Sequence, residues 1–337
     1  MHRSLPVGNG TGLAYTDSME LLYCRALRIA LTTAALWPAI PALADELGNP
    51  HTLDADVACT PSATIATAEP MALLELCRDL AETGDKRAQY TIGLAHYIGV
   101  GAPLDYEEAA RWYRLAAEQD HVDAQVKLGA MLLAGRGVER DLSAAADWYE
   151  RAAEQGNVEA QNAIAGLYLT GNGVDQDDFE AARWYRLAAE QGDSEAQYFI
   201  GALFYDGRGV NRDYGEAWKW FRLAAYQGDI EAHYMLGRIY ADGSGVEVDW
   251  AEAAAWFEFA ADQGHARAQA ELGRLLSVGV PGVSRDLIAA YKWLTLATEQ
   301  DIEEAHLLRD EVAARLHEVE RQKAQRAVEL WRERHGG

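Results

Sequence analysis

Residues 196–228 read AQYFIGALFYDGRGVNRDYGEAWKWFRLAAYQG. This stretch decides the fold. Ala217, Trp220/Phe221 and Ala224/Ala225 fall at i, i+3/i+4 and i+7/i+8, which makes one apolar stripe on a helix. Asp213 stands where an N-cap belongs, ready to accept from the free amides of that helix. Before it, Ala196 opens a second, shorter helical segment through Gly201, which the paired glycines Gly207 and Gly209 end. Gly costs about 1 kcal/mol relative to Ala inside a helix, so Gly201 implies a close backbone approach that outweighs propensity. Gly228 closes the unit. The unit is a helix pair, A (from Ala196) and B (from Asp213).

The same pair recurs along the chain. Trp112, Trp148, Trp184, Trp220 and Trp256 are spaced by 36 residues, and Trp293 follows after 37. Tyr113, Tyr149, Tyr185, Phe221 and Phe257 come next to each, with Leu294 in the last copy. Asp105, Asp141, Asp177, Asp213, Asp249 and Asp286 precede each Trp by seven. Ala88, Ala124, Ala160, Ala196, Ala232 and Ala268 open each A segment, and Gly93, Gly129, Gly201, Gly237 and Gly273 follow by five, with Ala165 the exception. Asp120 and Asp301 replace the closing Gly, which predicts less regular turns there. Two-helix units of this size bury a core only by stacking. The expected fold is therefore all-α: a right-handed α-solenoid of period 36 with a concave face and capping helices at both ends.

The ends deviate from the pattern as caps should. Residues 70–84 read as a lone N-terminal capping helix, with Leu76 and Cys77 at the Trp and aromatic positions. Six repeats occupy 85–300. Residues 301–337 hold a half-repeat and a charged capping helix with Val328 and Leu330 or Trp331 inward. Residues 45–69, rich in Ala, Thr and Pro, read as a flexible arm. Residues 1–44 read as an export signal: Arg25 and Arg28, an apolar run from Ile29 to Ile40, then Ala42-Leu43-Ala44 before a cleavage point at Ala44/Asp45. Met19 is an alternative start that gives the leader ordinary length. The run is short of the roughly 20 apolar residues a span needs, and Pro38 and Pro41 interrupt it, which favours a cleaved signal over an anchor.

The chain has 337 residues, with 53 acidic and 30 basic side chains and a formal charge of −23. Phosphate affinity comes from Lys and Arg clusters, so this balance argues against nucleic acid and against an anionic membrane surface. An apolar fraction of 49% is enough for a large core. Beyond the signal, Cys59 and Cys77 remain. In an oxidising compartment the pair predicts a disulfide worth roughly 3 kcal/mol, tying the arm to the first helix. The alternative is a buried thiol at Cys77 and a free one at Cys59.

Each copy approximates AxxxLGxxYxxGxGVxxDxxxAxxWYxxAAxQG, and residues 196–228 match it best. The pattern resembles the Sel-one-like repeat (SLR), a relative of the tetratricopeptide repeat, over about residues 70–316. The resemblance implies an α-solenoid that acts as an adaptor or scaffold for other proteins. Exported bacterial members resemble regulators or assembly factors of envelope processes such as exopolysaccharide control. A periplasmic or secreted, non-catalytic adaptor is therefore the expected function. A glycan-binding envelope protein is the alternative, and an envelope hydrolase a more distant one.

The sequence offers little chemistry. The nine His are scattered, with no pair at i+3 or i+4 to clip a metal, and no HExxH, GxSxG or Walker-type loop is present. No cofactor, metal or catalytic residue is expected. Acids such as Glu107/Glu108 and Asp177/Asp178 suit helix N-termini. The Trp column, at core spacing, reads as buried. What varies between copies points to a site. The A-helix columns place Tyr198, Phe199, Tyr234 and Met235 together, with Arg238 and Arg274 beside them. They predict an aromatic groove with a cationic rim for a partner peptide or helix. The competing expectation is that some of them pack against the next A helix.

Overall fold

The computed structural model describes Cys59 and residues 70–335. The expected signal segment, its Ala44/Asp45 cleavage point and, Cys59 apart, the arm lie outside these residues. Fifteen α-helices make up most of the described chain. The only β feature among the described residues is an isolated bridge between Val280 and Val283. The first helix is α1 (Pro70–Glu82). The A helices are α2 (Lys86–Ile98), α4 (Val122–Ala134), α6 (Val158–Thr170), α8 (Ser194–Asp206), α10 (Ile230–Asp242) and α12 (Ala266–Val278). The B helices are α3 (Tyr106–Glu118), α5 (Leu142–Glu154), α7 (Asp178–Glu190), α9 (Tyr214–Tyr226), α11 (Trp250–Asp262) and α13 (Leu287–Thr298). Two more, α14 (Glu303–Arg315) and α15 (Glu318–His335), follow. Consecutive helices pack in pairs, the arrangement of an α-solenoid.

Hydrogen-bonded caps set where each helix starts. The side chains of Asp105, Asp141, Asp177, Asp213, Asp249 and Asp286 each accept a backbone N–H in the first turn of a B helix. The A helices are capped too, by Asp85, His121, Asn157, Asp193, Asp229 and His265. The sequence reading did not assign this second set of caps. Asp120 and Asp301 adopt φ of 59° and 61°. They thus enter the same left-handed region as the glycines they replace, and the less regular turns expected there do not appear.

The described chain divides into two compact units, the first ending at Gln191 and the second starting at Gly192. In the first, Tyr113, Leu128, Met131 and the alanines of α3 and α4 form one core cluster. In the second, Phe257, Leu272, Leu275, Trp293 and Val328 form one cluster, and Leu294, Val312, Leu316 and Ala324 another. Val328 thus brings α15 onto the core, and Trp331 packs beside it while Leu330 stays 44% exposed.

The close approach inferred from the helical glycines has a specific partner. A Cβ at Gly93 would sit 2.8 Å from the Tyr113 ring, and one at Gly201 would sit 2.9 Å from Phe221. Tyr113, Tyr149, Phe221 and Phe257 therefore each pack against the glycine of the preceding A helix. Tyr113, Tyr185, Phe221 and Phe257 are essentially inaccessible. The Trp column is less uniform than expected. Trp112, Trp184 and Trp293 are buried, but Trp148, Trp220 and Trp256 are only half-buried. Arg111, Arg151, Arg183 and Lys292 lie over the faces of Trp112, Trp148, Trp184 and Trp293, at 5.3, 4.5, 4.0 and 3.3 Å.

Cys59 and Cys77 are joined by a disulfide. Both are buried in an apolar cluster with Leu74, Ala81, Ile92 and Trp112. The Thr91 hydroxyl donates to the Cys59 carbonyl, 2.9 Å away. Cys59 is thereby fixed to α2.

Candidate functional site

The A helices of the second unit carry the residues that vary most between copies, and their surroundings decide which of them are available. Tyr198 is 7% exposed, Phe199 is inaccessible and Tyr234 is 9% exposed. Tyr198 meets Phe199 edge-on at 5.4 Å and Phe221 at 5.8 Å. Tyr234 lies 5.8 Å from Phe257 and stacks on the His265 imidazole at 4.6 Å. These three aromatics are core, so the aromatic groove expected from the sequence is not an open surface. Each A-helix aromatic turns into the space between its own helix and the next B and A helices. Periodicity alone leaves that direction unspecified.

Met235, Arg238 and Arg274 remain at the surface. Met235 is half-buried against the core. The Arg238 side chain is 26% exposed, with its guanidinium 5.8 Å from the Tyr205 ring and 3.9 Å from Asp242. Burial works against the charge of Arg238, but Tyr234, Tyr205, Asp242 and Glu271 outweigh it and raise its pKa. Burial also lifts the carboxyls of Asp206 and Asp242 above the usual range, against the pull of Arg238. Arg274 pairs with Glu271 one turn earlier, at 2.8 Å. The remaining site is a polar, charge-balanced strip rather than an aromatic cleft with a cationic rim.

A second recurring network lies between the helices. Gln89, Gln125, Gln161 and Gln269 each donate Nε2–H to an Ala carbonyl in the preceding helix, at 3.0–3.2 Å. Their Oε1 atoms accept from Gln119, Gln155, Gln191 and Gln300, at 2.7–3.0 Å. Gln227 does the same toward Gln197, at 2.9 Å. The network satisfies polar groups buried between repeats. The sequence reading missed it, although Gln follows the opening Ala in five of six copies.

His233 breaks the Gln ladder. Its ring stacks on Phe259 at 3.9 Å, and its Nδ1 lies 2.8 Å from the Asp229 carbonyl oxygen. His121 caps α4 by accepting the Ala124 N–H on Nδ1, 3.4 Å away. Burial is the main cause that holds both imidazoles below the ordinary 6.5. Lys86 and Arg87 add to it at His121 against Asp123, while the Asp229 contact opposes it at His233. Below pH 6.5 the unfolded chain therefore binds protons that the folded chain does not, so stability falls as the pH falls through this range. Thermal melting at pH 7.5 and pH 5 checks this. His233→Gln and His121→Asn, each a residue used at that position in other repeats, are expected to flatten the acid loss. Equal slopes for wild type and the double variant would show that other groups set it.

Among the described residues no group of three or more His, Cys, Asp or Glu is placed to hold a metal, and no helix is long and apolar enough to cross a membrane.

The Sel1 repeat family model matches residues 86–121, 122–157, 158–193, 194–229, 230–265 and 266–302. A Sel1 repeat protein from Oxalobacter formigenes is 31% identical, with 67% of this chain and 90% of that one aligned at a TM-score of 0.57. A protective antigen present in uropathogenic Escherichia coli strains, described as displaying an SLR fold, is 25% identical over 96% of this chain and 85% of its own, at a TM-score of 0.38. A putative Sel1 repeat protein from Klebsiella pneumoniae is 22% identical over 59% of this chain and 97% of its own, at a TM-score of 0.36. No curated protein matches the chain.

Proposed function

Because this chain belongs to the Sel1 repeat family, whose repeats commonly serve as protein-interaction scaffolds, we propose that it is an exported, non-catalytic adaptor that binds a partner protein through the A-helix strip of its second unit. One observation carries the reading. The column Leu94, Ala130, Gly166, Ala202, Arg238, Arg274 is apolar or small until the last two copies, where it turns cationic at partly exposed positions. Such a change at a fixed structural position fits binding better than folding. The buried Cys59–Cys77 bond supports an oxidising compartment, and with it the signal read at residues 1–44. A regulatory role in an envelope or exopolysaccharide process follows from that location and from the family's habits. A glycan ligand is the alternative if the strip binds no protein.

Crosslinked capture from an envelope extract tests the adaptor reading. The control is Met235→Ala with Arg238→Glu and Arg274→Glu, since Tyr198 and Tyr234 belong to the core and their loss would disturb folding. A protein recovered by wild type and lost from the control, at unchanged helical circular dichroism, is the expected result. The same proteins recovered by both would remove the strip from consideration.

A further inference from the structure

Helix α9 departs from the other B helices along one line. Two residues before the repeat Trp, the others carry Ala110, Ala146, Ala182, Ala254 or Tyr291, whereas α9 carries Trp218. Six residues after that Trp, the others carry Glu118, Glu154, Glu190, Asp262 or Glu299, whereas α9 carries Tyr226. Arg222 stands midway, one turn from each, so the three side chains share a face. The guanidinium carbon of Arg222 lies 4.3 Å from the Trp218 ring and 5.9 Å from the Tyr226 ring. Trp218 is held in turn by its indole N–H, which donates to the Tyr240 hydroxyl at 3.3 Å.

Arg222 has aromatic neighbours but no acidic one. Its Nε is sealed from solvent without a hydrogen-bond partner, and it makes no ion pair among the described residues. Arg114 and Arg186, its equivalents, have a glutamate one turn on, where α9 has Tyr226. Tyr226 is 71% exposed and Leu223, on the neighbouring face, 44%. The stacking rings fix an otherwise rotamer-rich side chain, so the guanidinium is preorganised. The donors it can still offer are its two Nη groups, the pair that grips a carboxylate in bidentate fashion.

We propose that Trp218, Arg222, Tyr226 and Leu223 form a docking point for a peptide segment of a partner protein that sets a carboxylate on Arg222 and an apolar side chain on Tyr226 and Leu223. Charge selects this occupant. On a chain of formal charge −23, a carboxylate is repelled by most of the surface. It is drawn to a cation whose own acid has been replaced by an aromatic. Trp, Tyr and Arg are also the residues that dominate binding energy at protein interfaces. The proposal rests on the reading that the chain works by binding protein, but it places the contact on a B helix rather than on the A-helix strip.

A displayed library of random dodecapeptides, selected on the full chain and counter-selected on Trp218→Ala/Tyr226→Glu, tests it. The double variant returns α9 to the residues of its neighbours, and Arg222→Gln alone serves if that variant melts early. Enriched peptides are expected to pair an Asp or Glu with an adjacent large apolar residue. Their affinity is expected to fall roughly tenfold on Arg222→Gln, and equally when the peptide acid is changed to its amide. Peptides that bind wild type and variants alike, or that carry no acid, overturn the proposal. So does an Arg222-dependent affinity for polygalacturonate fragments with no peptide enriched, which would make the surface a glycan site. Failure here with partner capture by the A-helix strip intact removes α9 and leaves the adaptor reading standing.

Discussion

Replacing Cys77 by Ser is expected to lower the stability of the first unit by about 4–6 kcal/mol. The bond joins residues 18 apart. Releasing a loop of that size from the unfolded chain costs the folded state roughly 3 kcal/mol by the chain-entropy estimate. The cluster around the bond adds to this. Cys59 and Cys77 are 3% and 0% exposed among Leu74, Ala81, Ile92 and Trp112. A serine hydroxyl buried there without a partner costs about 1–3 kcal/mol more. The bond also has an architectural role. Internal A helices are flanked by another A helix, whereas α2 is the first of its series. Cys59 packs beside α2 instead, with its carbonyl held by Thr91. Urea unfolding followed by Trp fluorescence, with and without dithiothreitol, checks the expectation. Cys77→Ser should unfold at a lower urea midpoint than even the fully reduced wild type, by the cost of the buried hydroxyl. Identical midpoints for oxidised and reduced protein would show that packing alone seats Cys59.

Much of this architecture was legible because a repeat states each structural demand several times over. The Asp N-caps, the helix pairs and the glycines under aromatic rings all follow from columns that keep one residue type. What failed was the step from a variable column to an exposed one. The column Tyr90, Val126, Asn162, Tyr198, Tyr234, Ala270 changes chemistry at almost every copy, yet all of its members are buried or half-buried. Its variation is absorbed by the next repeat. Tyr90 stacks on His121 at 4.7 Å and Tyr234 on His265 at 4.6 Å, each histidine being the cap of the following A helix. His265 then passes the contact on, its Nε2 meeting Glu231 at 3.1 Å while its Nδ1 accepts the Ala268 N–H at 3.0 Å. A side chain that varies in step with its neighbour one repeat later is packing, and no single column can show that. The α9 stripe was missed for the opposite reason. Trp218 and Tyr226 lie outside the columns that define the repeat and become visible only when one copy is compared with the rest.

The two glycines of each inter-helix turn illustrate how the repeat spacing itself is enforced, and Gly173→Ala is expected to be the most damaging single glycine substitution in the first unit. Gly173 has φ +82°, a left-handed conformation that costs a residue with a Cβ about 1–2 kcal/mol. A Cβ there would also overlap the carbonyl carbon and oxygen of Leu142, the first residue of α5. Gly137 meets the Tyr106 carbonyl at the start of α3 in the same way, whereas Gly245 meets Tyr214 at the start of α9 first through its Cβ. At Gly137 and Gly173 the second glycine of the turn is thus where one repeat rests on the backbone of the one before it. Backbone cannot rotate aside as a side chain can, so the helix pair carrying Gly173 has to move off α5. Overpacking of this kind adds about 1–3 kcal/mol, for a total of about 2–5 kcal/mol. Gly156→Ala separates the two contributions. Gly156 has a similar φ of +87°, but nothing lies within 4 Å of the position a Cβ would take. Its substitution should show only the conformational cost, about 1–2 kcal/mol. Urea midpoints of the two variants give the comparison directly. A clear excess for Gly173→Ala measures what contact between neighbouring repeats is worth, because stability in a stacked array depends on each such interface. Equal losses would mean that the turn yields, and that the interface of α5 with its neighbour does not depend on a bare backbone at this point.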